Sequence, residues 1–243
     1  MTAEAYLLRT AIQHEQCDGI GIYCWAADNP PWHARYRLEW NFRAQQSRPD
    51  TAGADVPDSP SQQMAAIGIV QHGDPILREV AAPFDLPAEA DEARRVVSQL
   101  VSAMERAARI HHFAKGMGVA APQLGIRRAA TTVRTPDGRR IALLNPIVIE
   151  ESDATDEQYE GCWSFFDVRG KVSRPVTIHV EHQDVDGSRH ITRFDRGDAR
   201  LVAHEIDHLN GILYSDRLPS PDALIPVSEY RGTGLARRRR ADP

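Results

Sequence analysis

The chain has 243 residues, of which 42% are hydrophobic and 26% charged, a balance typical of a soluble globular protein and unlike that of a disordered or fibrous one. Its formal net charge of -5 argues against a general nucleic-acid binder, which is usually basic. No apolar run reaches the roughly 18 residues of a membrane span, and the charged N-terminus lacks the pattern of a secretory signal.

The first part of the chain predicts a small extension. Residues 3–16 have the composition of a helix, residues 19–25 are typical of a strand, and residues 32–42 alternate strictly between apolar and polar side chains, as a half-buried strand does. A helix and one hairpin bury too little surface to fold alone, so we expect residues 1–43 to pack on the main domain or to form a homo-oligomer through the hairpin. The polar residues 44–63, rich in Pro, Ser and Asp, predict a flexible linker.

A catalytic domain is predicted over residues 64–220. Its predicted elements are an amphipathic helix at 88–109, strands at 140–149, 172–183 and 189–194, and a last helix at 199–210 that ends before Gly211. Because strands dominate the middle and a single helix follows, the pattern favours an α+β fold over a repeating βαβ fold.

Residues 221–243 form the predicted C-terminal tail, which contains a basic run at 237–240. Two interpretations of this run stand, a solvated tail and a contact with ribosomal RNA. The chain has three cysteines, Cys17, Cys24 and Cys162, and this odd, sparse set without an export signal is typical of a reducing cytoplasm. We therefore expect a cytoplasmic protein in which Cys17 and Cys24, whose spacing matches no common zinc motif, have no special role.

The last predicted helix carries the strongest chemical signal, His204-Glu205-Ile206-Asp207-His208. Two histidines four residues apart lie on one helix face, so both imidazoles can bind one metal ion. Glu205 lies beside them, where a carboxylate can take a proton from a metal-bound water. For Asp207, two interpretations stand: it orients a metal-bound histidine, or it is a surface carboxylate.

A catalytic zinc or iron ion takes three protein ligands and keeps one position open, so a third ligand is required. The metzincin pattern would place a histidine at position 214, which is Tyr214 in this chain. Two candidates remain, Glu229 in the polar tail and Cys162 in the segment 160–164. A thiolate binds zinc or ferrous iron well, but a lone cysteine is more often a small buried apolar residue.

The segment GMGVAAPQ, residues 116–123, is rich in small residues that let the backbone approach a ligand closely. Gln123 at its end offers an amide donor that can stabilise an oxyanion. The alternative is a tight, well-packed loop, and the absence of a following Lys-Ser/Thr excludes a phosphate-binding loop. For His111 and His112, just upstream, two interpretations stand: polar loop residues, which is the favoured one, and a functional role.

Three motifs, GMGVAAPQ, EGCWS (160–164) and HEIDHLNG (204–211), together resemble the signature motifs of the peptide deformylase family, in the same order and at similar spacing. The likeness extends to HGDPILREVAAPF and LLNPIVIE and covers about residues 66–218. It implies the family fold, with antiparallel strands packed around a C-terminal metal-binding helix.

The resemblance also implies a function, the removal of the formyl group from the N-terminal formyl-methionine of newly synthesised proteins. Cys162, His204 and His208 would bind one divalent metal ion, Fe²⁺ or in its place Zn²⁺, Ni²⁺ or Co²⁺, with a water in the fourth position. Glu205 would deprotonate that water as it attacks the formyl carbon. The remaining implied site residues are Gln123 and the backbone N–H of Trp163 at the oxyanion, Gly118, Glu160 and Arg169 near the substrate backbone, and Met117 and Leu201 around the methionine side chain.

Three positions depart from the family pattern. Phe166 stands where the family usually has proline, and Asp198 and Ala203 stand where it tends to have an apolar residue and glutamine. None of these changes removes a catalytic group, but Phe166 lies on the loop along which the peptide would run. Two further hypotheses therefore stand: a metal amidase that acts on another formylated or acylated small molecule, and a catalytically weak scaffold that self-associates through its N-terminal hairpin.

Overall fold

The computed structural model describes residues 59–220 and 223–230. The predicted N-terminal helix and hairpin, Cys17, Cys24 and the basic run at 237–240 lie outside these ranges. Among the described residues, no helix has both the length and the apolar character that a membrane crossing requires.

The first helix, α1 (Pro60–Ala66), begins inside the segment predicted to be a linker and before the predicted domain start at residue 64. Ser59 caps it, because the Ser59 side chain accepts a hydrogen bond from the Gln62 N–H while the Gln62 side chain accepts one from the Ser59 N–H. Pro60 lies in the first turn of the helix, where the fixed φ of proline already has a helical value. The predicted linker boundary is therefore wrong: the polar residues 60–63 are helical.

The long helix α2 (Ala90–Ile110) matches the amphipathic helix predicted at 88–109. Its apolar stripe is buried against the first two strands of the larger sheet. The side chains on this stripe include Ala93, Val96, Val97, Leu100 and Met104. This helix and sheet enclose the largest apolar cluster of the domain.

Two antiparallel sheets form the rest of the domain. The strands are β1 (Met117–Ala120), β2 (Ala130–Arg134), β3 (Arg140–Glu151), β4 (Thr155–Cys162), β5 (Phe165–Pro175), β6 (Thr177–Gln183), β7 (Arg189–Asp195) and β8 (Leu224–Pro226). The larger sheet has the order β1-β2-β3-β6-β7 and the smaller one the order β4-β5-β8. The predicted α+β class is confirmed.

The structure corrects two of the expected boundaries. The single strand predicted at 172–183 is two strands, because the chain leaves the smaller sheet at Pro175 and enters the larger one at Thr177. Proline has no N–H to continue a ladder, which suits this change of sheet. β8, which pairs with β5, lies in the segment predicted to be a tail.

The last helix, α3 (Arg196–Leu209), packs against β1, β2 and β7 of the larger sheet and against β5 of the smaller one. Gly211, predicted to end it, follows the terminal Asn210 with a φ of 71°. A Cβ atom there would lie 2.5 Å from the carbonyl oxygen of Arg78, so both the backbone angle and the space require glycine. The helix that carries the predicted metal ligands is thus fixed between the two sheets.

Candidate metal centre

Helix α3 and the end of strand β4 bring three donor side chains together. His204 and His208 lie one helical turn apart, with ring centroids 5.1 Å from each other. The Sγ atom of Cys162 lies 3.1 Å from the Nε2 atom of His208, and one ligand atom from each of the three residues lies within 4.8 Å of the others. No other group of three such residues occurs in the part of the chain that the structure describes.

This donor set fits a divalent transition metal. One thiolate and two imidazoles are ligands that zinc and ferrous iron accept, and three protein ligands leave a position open for chemistry. Cys162 and His208 are buried, and the His204 side chain is 11% exposed. Glu229, the alternative third ligand, is exposed and stands outside the group.

The charges around the three residues favour the ligand form of the cysteine. Burial alone would raise the pKa of the Cys162 thiol, but the neighbouring His208 and His204 outweigh it and hold that pKa well below its usual value. Burial would likewise lower the pKa of His204, yet Cys162 and Glu160 beside it raise that pKa. The lowered pKa of Cys162 favours its thiolate, the form in which cysteine binds a metal ion.

Glu160 fixes the orientation of the His204 ring. Its Oε2 atom lies 2.9 Å from the Nδ1 atom of His204, which leaves the Nε2 atom of that ring for a metal. Arg174 donates two hydrogen bonds to the Glu160 carboxylate, at 2.7 and 2.9 Å, and Arg200 donates a third at 2.6 Å. Although burial opposes it, the charge of Arg174 with that of His204 holds the pKa of Glu160 well below its usual range.

Asp207 belongs to the same network. It is buried and accepts hydrogen bonds from Arg174, at 2.8 Å, and from Arg217. Neither interpretation of Asp207 therefore describes its position, since it lies below the surface and its hydrogen bonds go to two arginines. Sequence reasoning also missed Arg174 and Arg200. For Arg200 a signal existed, because it precedes His204 by four residues on the same helix.

Glu205 is buried beside the three donor side chains. It is only 3% exposed, and its Oε2 atom has no hydrogen-bond partner among the described residues. Burial raises the pKa of Glu205 to about 7, against the opposing charges of His204 and His208. A Cβ atom on Gly118 would overlap the Glu205 carboxylate, so the glycine on β1 makes room for it. A carboxylate with a pKa near neutral can both take up and release a proton.

Hydrogen bonds to residues of the segments 116–123 and 160–164 hold the Gln123 side chain. Its Oε1 atom accepts a hydrogen bond from the Ala120 N–H at 2.9 Å, which sets the direction of its amide. Its Nε2 atom then donates towards the Oγ atom of Ser164 at 3.2 Å and the Sγ atom of Cys162 at 3.4 Å. The amide donor therefore points at the metal-ligand cluster, beside Trp163.

A cavity of about 520 Å³ adjoins this cluster. Its walls include Cys162, His204, Glu205, Gln123 and Trp163, whereas the buried His208 does not line it. Every residue that the sequence placed around the substrate also lines it: Met117, Gly118, Glu160, Arg169 and Leu201. Arg169 is buried in this wall and donates hydrogen bonds to the carbonyl oxygens of Phe166 and Val168, each at 2.8 Å.

The chain is similar to known proteins over this domain. The family model described as Polypeptide deformylase matches residues 67–223. A peptide deformylase from Latilactobacillus sakei is 35% identical over 164 residues, which cover 62% of this chain and 88% of that protein. A second, from Desulforudis audaxviator, is 34% identical over 154 residues, which cover 63% of this chain and 94% of that protein.

Solved structures give the same result. A class I type b peptide deformylase from Acinetobacter baumannii superposes with a TM-score of 0.56 at 31% identity, and the match covers 62% of this chain and 97% of that one. A peptide deformylase from Plasmodium falciparum gives a TM-score of 0.55 at 30% identity, over 64% of this chain and 87% of that one.

Proposed function

The chain belongs to the polypeptide deformylase family, and from this premise we propose that Cys162, His204 and His208 hold its metal ion and that Glu205 moves the protons of the reaction. The enzyme is a metal-dependent hydrolase that removes the formyl group from the N-terminal formyl-methionine of newly synthesised proteins. The observation that carries the residue assignment is the convergence of three metal-binding atoms beside a buried, unpartnered carboxylate.

We propose that the metal is ferrous iron and that Zn²⁺, Ni²⁺ or Co²⁺ can replace it. A single thiolate with two imidazoles supports this assignment, since borderline divalent ions prefer such mixed sulfur and nitrogen ligands. When bound, the ion supplies Lewis acidity, which makes a water more acidic and polarises the formyl carbonyl. The Glu160 carboxylate supports binding by holding His204 in the tautomer that directs Nε2 at the ion.

Glu205 is the general base and then the general acid. Its Oε2 atom takes a proton from the water that attacks the formyl carbon, and passes it to the amine nitrogen as the C–N bond breaks. The products are formate and a peptide with a free methionine amine. Burial favours both transfers, because it brings the pKa of Glu205 to about 7, close to the working pH.

Gln123 and Trp163 stabilise the charge that develops on the formyl oxygen. The Nε2 atom of Gln123 already points at the ligand cluster, and its orientation is fixed by the Ala120 N–H. The backbone N–H of Trp163 follows the ligand Cys162 directly and is the second donor. Donors fixed before the reaction stabilise such an oxyanion without reorganisation.

Different residues of the cavity wall are proposed to contact different parts of the substrate. Gly118 has no side chain, so a peptide backbone can approach it closely. Met117 and Leu201 provide apolar surface for the methionine side chain, and Arg169 lies near the substrate backbone. Glu160, whose oxygens bind two arginines and His204, acts as a positioning residue for that histidine.

The parts of the chain outside the catalytic domain have proposed roles of their own. We propose that the enzyme works in the cytoplasm on nascent chains and that the basic run at 237–240 contacts ribosomal RNA. Residues 1–43 would form an extension that packs on the domain or pairs with a second copy. Cosedimentation with ribosomes, with and without substitution of residues 237–240, tests the first role, and light scattering of the full chain and of a variant lacking residues 1–43 tests the second.

Turnover measurements test the substrate assignment. The protein is purified anaerobically with iron and assayed on formyl-Met-Ala-Ser and on free formyl-methionine. We expect rapid release of formate from the peptide and slow release from the free amino acid, because only the peptide fills the walls beyond the methionine. Activity on the free amino acid alone would identify a different metal amidase, and no activity on either substrate would support the scaffold hypothesis.

A further inference from the structure

Beside the metal centre, the cavity is bounded by three packed rings, those of His111, Phe113 and Phe166, which we call the aromatic wall. The ring of His111 packs edge-on against Phe113 and Phe166, at centroid distances of 4.8 and 5.0 Å. Phe113 lies 6.1 Å from Phe166 and 5.5 Å from Trp163. All three wall residues line the cavity that also contains Cys162. The aromatic wall is therefore continuous with the reaction site.

The three rings have different exposures and different roles. Phe166 is only 6% exposed and lies beneath the Arg169 guanidinium, whose carbon is 4.5 Å from the ring centroid. Phe113 is half-buried, and His111 is exposed. Partial burial, together with the charges of Arg169 and His112, lowers the pKa of His111, which favours the uncharged form of its ring. His111 thus presents an aromatic surface that packs against Phe166.

Helix α1 holds the wall in place. The Oγ atom of Ser61 accepts hydrogen bonds from the backbone N–H groups of Phe166, at 2.9 Å, and of Asp167, at 3.2 Å. The Asp167 carboxylate in return accepts from the Ser61 N–H at 3.0 Å and from the Ser59 hydroxyl at 3.1 Å. Proline has no N–H, so the first of these bonds requires another residue at position 166. Helix α1 lies outside the matched family region of residues 67–223.

We propose that the aromatic wall selects the residue after the formyl-methionine, that it favours an aromatic or large apolar side chain there, and that Ser61 is the positioning residue for Phe166. The proposal rests on the proposed function, since it takes a formyl-methionyl peptide as the ligand. In an extended peptide, successive side chains point to opposite sides. When the methionine side chain occupies the wall of Met117 and Leu201, the next side chain therefore turns to a different wall. An aromatic pair adds about 2- to 10-fold to binding.

The test compares two product peptides, Met-Phe-Ser and Met-Ala-Ser, by calorimetry with the metal-loaded full chain. We expect the wild type to bind Met-Phe-Ser about 2- to 10-fold more tightly and His111→Ala to bring the ratio close to one. Phe166→Ala should have the same effect. His179→Ala, which removes a half-buried histidine on β6 outside the cavity, is the matched control and should keep the ratio. Ser61→Ala should lower the ratio, and Ser61→Thr, which keeps the hydroxyl, should restore it.

Equal binding of the two peptides by the wild type, or a ratio that survives both His111→Ala and Phe166→Ala, would overturn the proposal. His111→Ala keeps it testable if Phe166→Ala does not fold, because His111 is exposed. The rates on formyl-Met-Phe-Ser and formyl-Met-Ala-Ser separate the two proposals. A binding preference without deformylation of either peptide would uphold the aromatic wall and count against the proposed function.

Discussion

At the scale of single residues, side chains that share one cavity have separate proposed tasks. Gln123 is the clearest example, because its Oε1 atom is committed to the Ala120 N–H and only its Nε2 donors face the reaction site. A residue held in this way can stabilise charge in the transition state without taking part in metal binding. Its removal should therefore affect the rate and leave the metal content unchanged.

We expect Gln123→Leu to lower kcat by about 10²- to 10³-fold, the usual effect of removing one oxyanion donor. The measurement is the rate on formyl-Met-Ala-Ser beside the iron content of the purified variant. Gln183→Leu, which changes a half-buried glutamine outside the cavity, is the matched control and should keep the wild-type rate. A Gln123→Leu variant with full metal and full activity would remove this residue from the mechanism.

A second prediction concerns Arg174 and the buried carboxylates that it binds. Arg174 is 2% exposed and binds two buried carboxylates, those of Glu160 and Asp207. Arg174→Leu removes a buried charged partner from both carboxylates, so we expect a loss of about 3 kcal/mol in the free energy of unfolding. Lys171→Leu on the same strand breaks only an exposed ion pair with Glu157 and should cost less than about 1 kcal/mol. Urea denaturation measures both, and equal small losses would contradict the structural role of Arg174.

At the scale of elements, the close contact between strand β1 and helix α3 is the constraint that creates the active site. Gly118 on β1 faces Glu205 on α3, with no room for a side chain between them. We expect Gly118→Ala to displace the Glu205 carboxylate and to lower kcat/KM by at least about 10-fold, because small misplacements of a catalytic group are costly. Unchanged activity of Gly118→Ala would show that the contact relaxes without consequence.

The secondary-structure elements differ in how well the sequence predicts them. Helices α2 and α3 follow from long apolar periodicities, and both lie where they were predicted within a few residues. Strands β1 and β4 were not predicted, because their residues are mostly buried small side chains or polar ones and show no alternation. Helix α1 was missed because its first half, residues 60–63, continues a polar and proline-rich segment without apolar periodicity. The helix is stabilised by the contacts of Ser59 and Ser61 with Asp167, more than 100 residues away.

More of the candidate site than of the fold could be predicted from the sequence. The spacing of His204 and His208 predicted two candidate ligands from local geometry alone, and the resemblance added Cys162 and Gln123 as candidate site residues. The positioning residues Arg174 and Arg200 could not be found in the same way. Their function depends on the approach of β5 and α3 to Glu160, a tertiary contact that no local pattern encodes.

At the scale of the whole molecule, the metal ion should stabilise the fold, since its proposed ligands come from α3 and from β4 of the smaller sheet. A ligand that binds only the folded chain adds about 2.7 kcal/mol when its free concentration is 100 times its Kd. For a domain of this size, that corresponds to about 5–10 °C in Tm. We expect a chelator to lower Tm by this amount in the wild type and to leave Tm of Cys162→Ala unchanged, as measured by calorimetry. An identical response of both proteins would exclude Cys162 as a ligand.

In the proposed mechanism, Glu205 moves the protons while Cys162, His204 and His208 hold the metal. The most direct measurement is the deformylation rate of Glu205→Gln on formyl-Met-Ala-Ser, with the iron content determined on the same sample. The substitution keeps the size of the side chain and removes its basicity, so we expect a rate about 10²- to 10⁴-fold below the wild type with the metal retained. A variant that keeps both its metal and most of its rate would contradict the account.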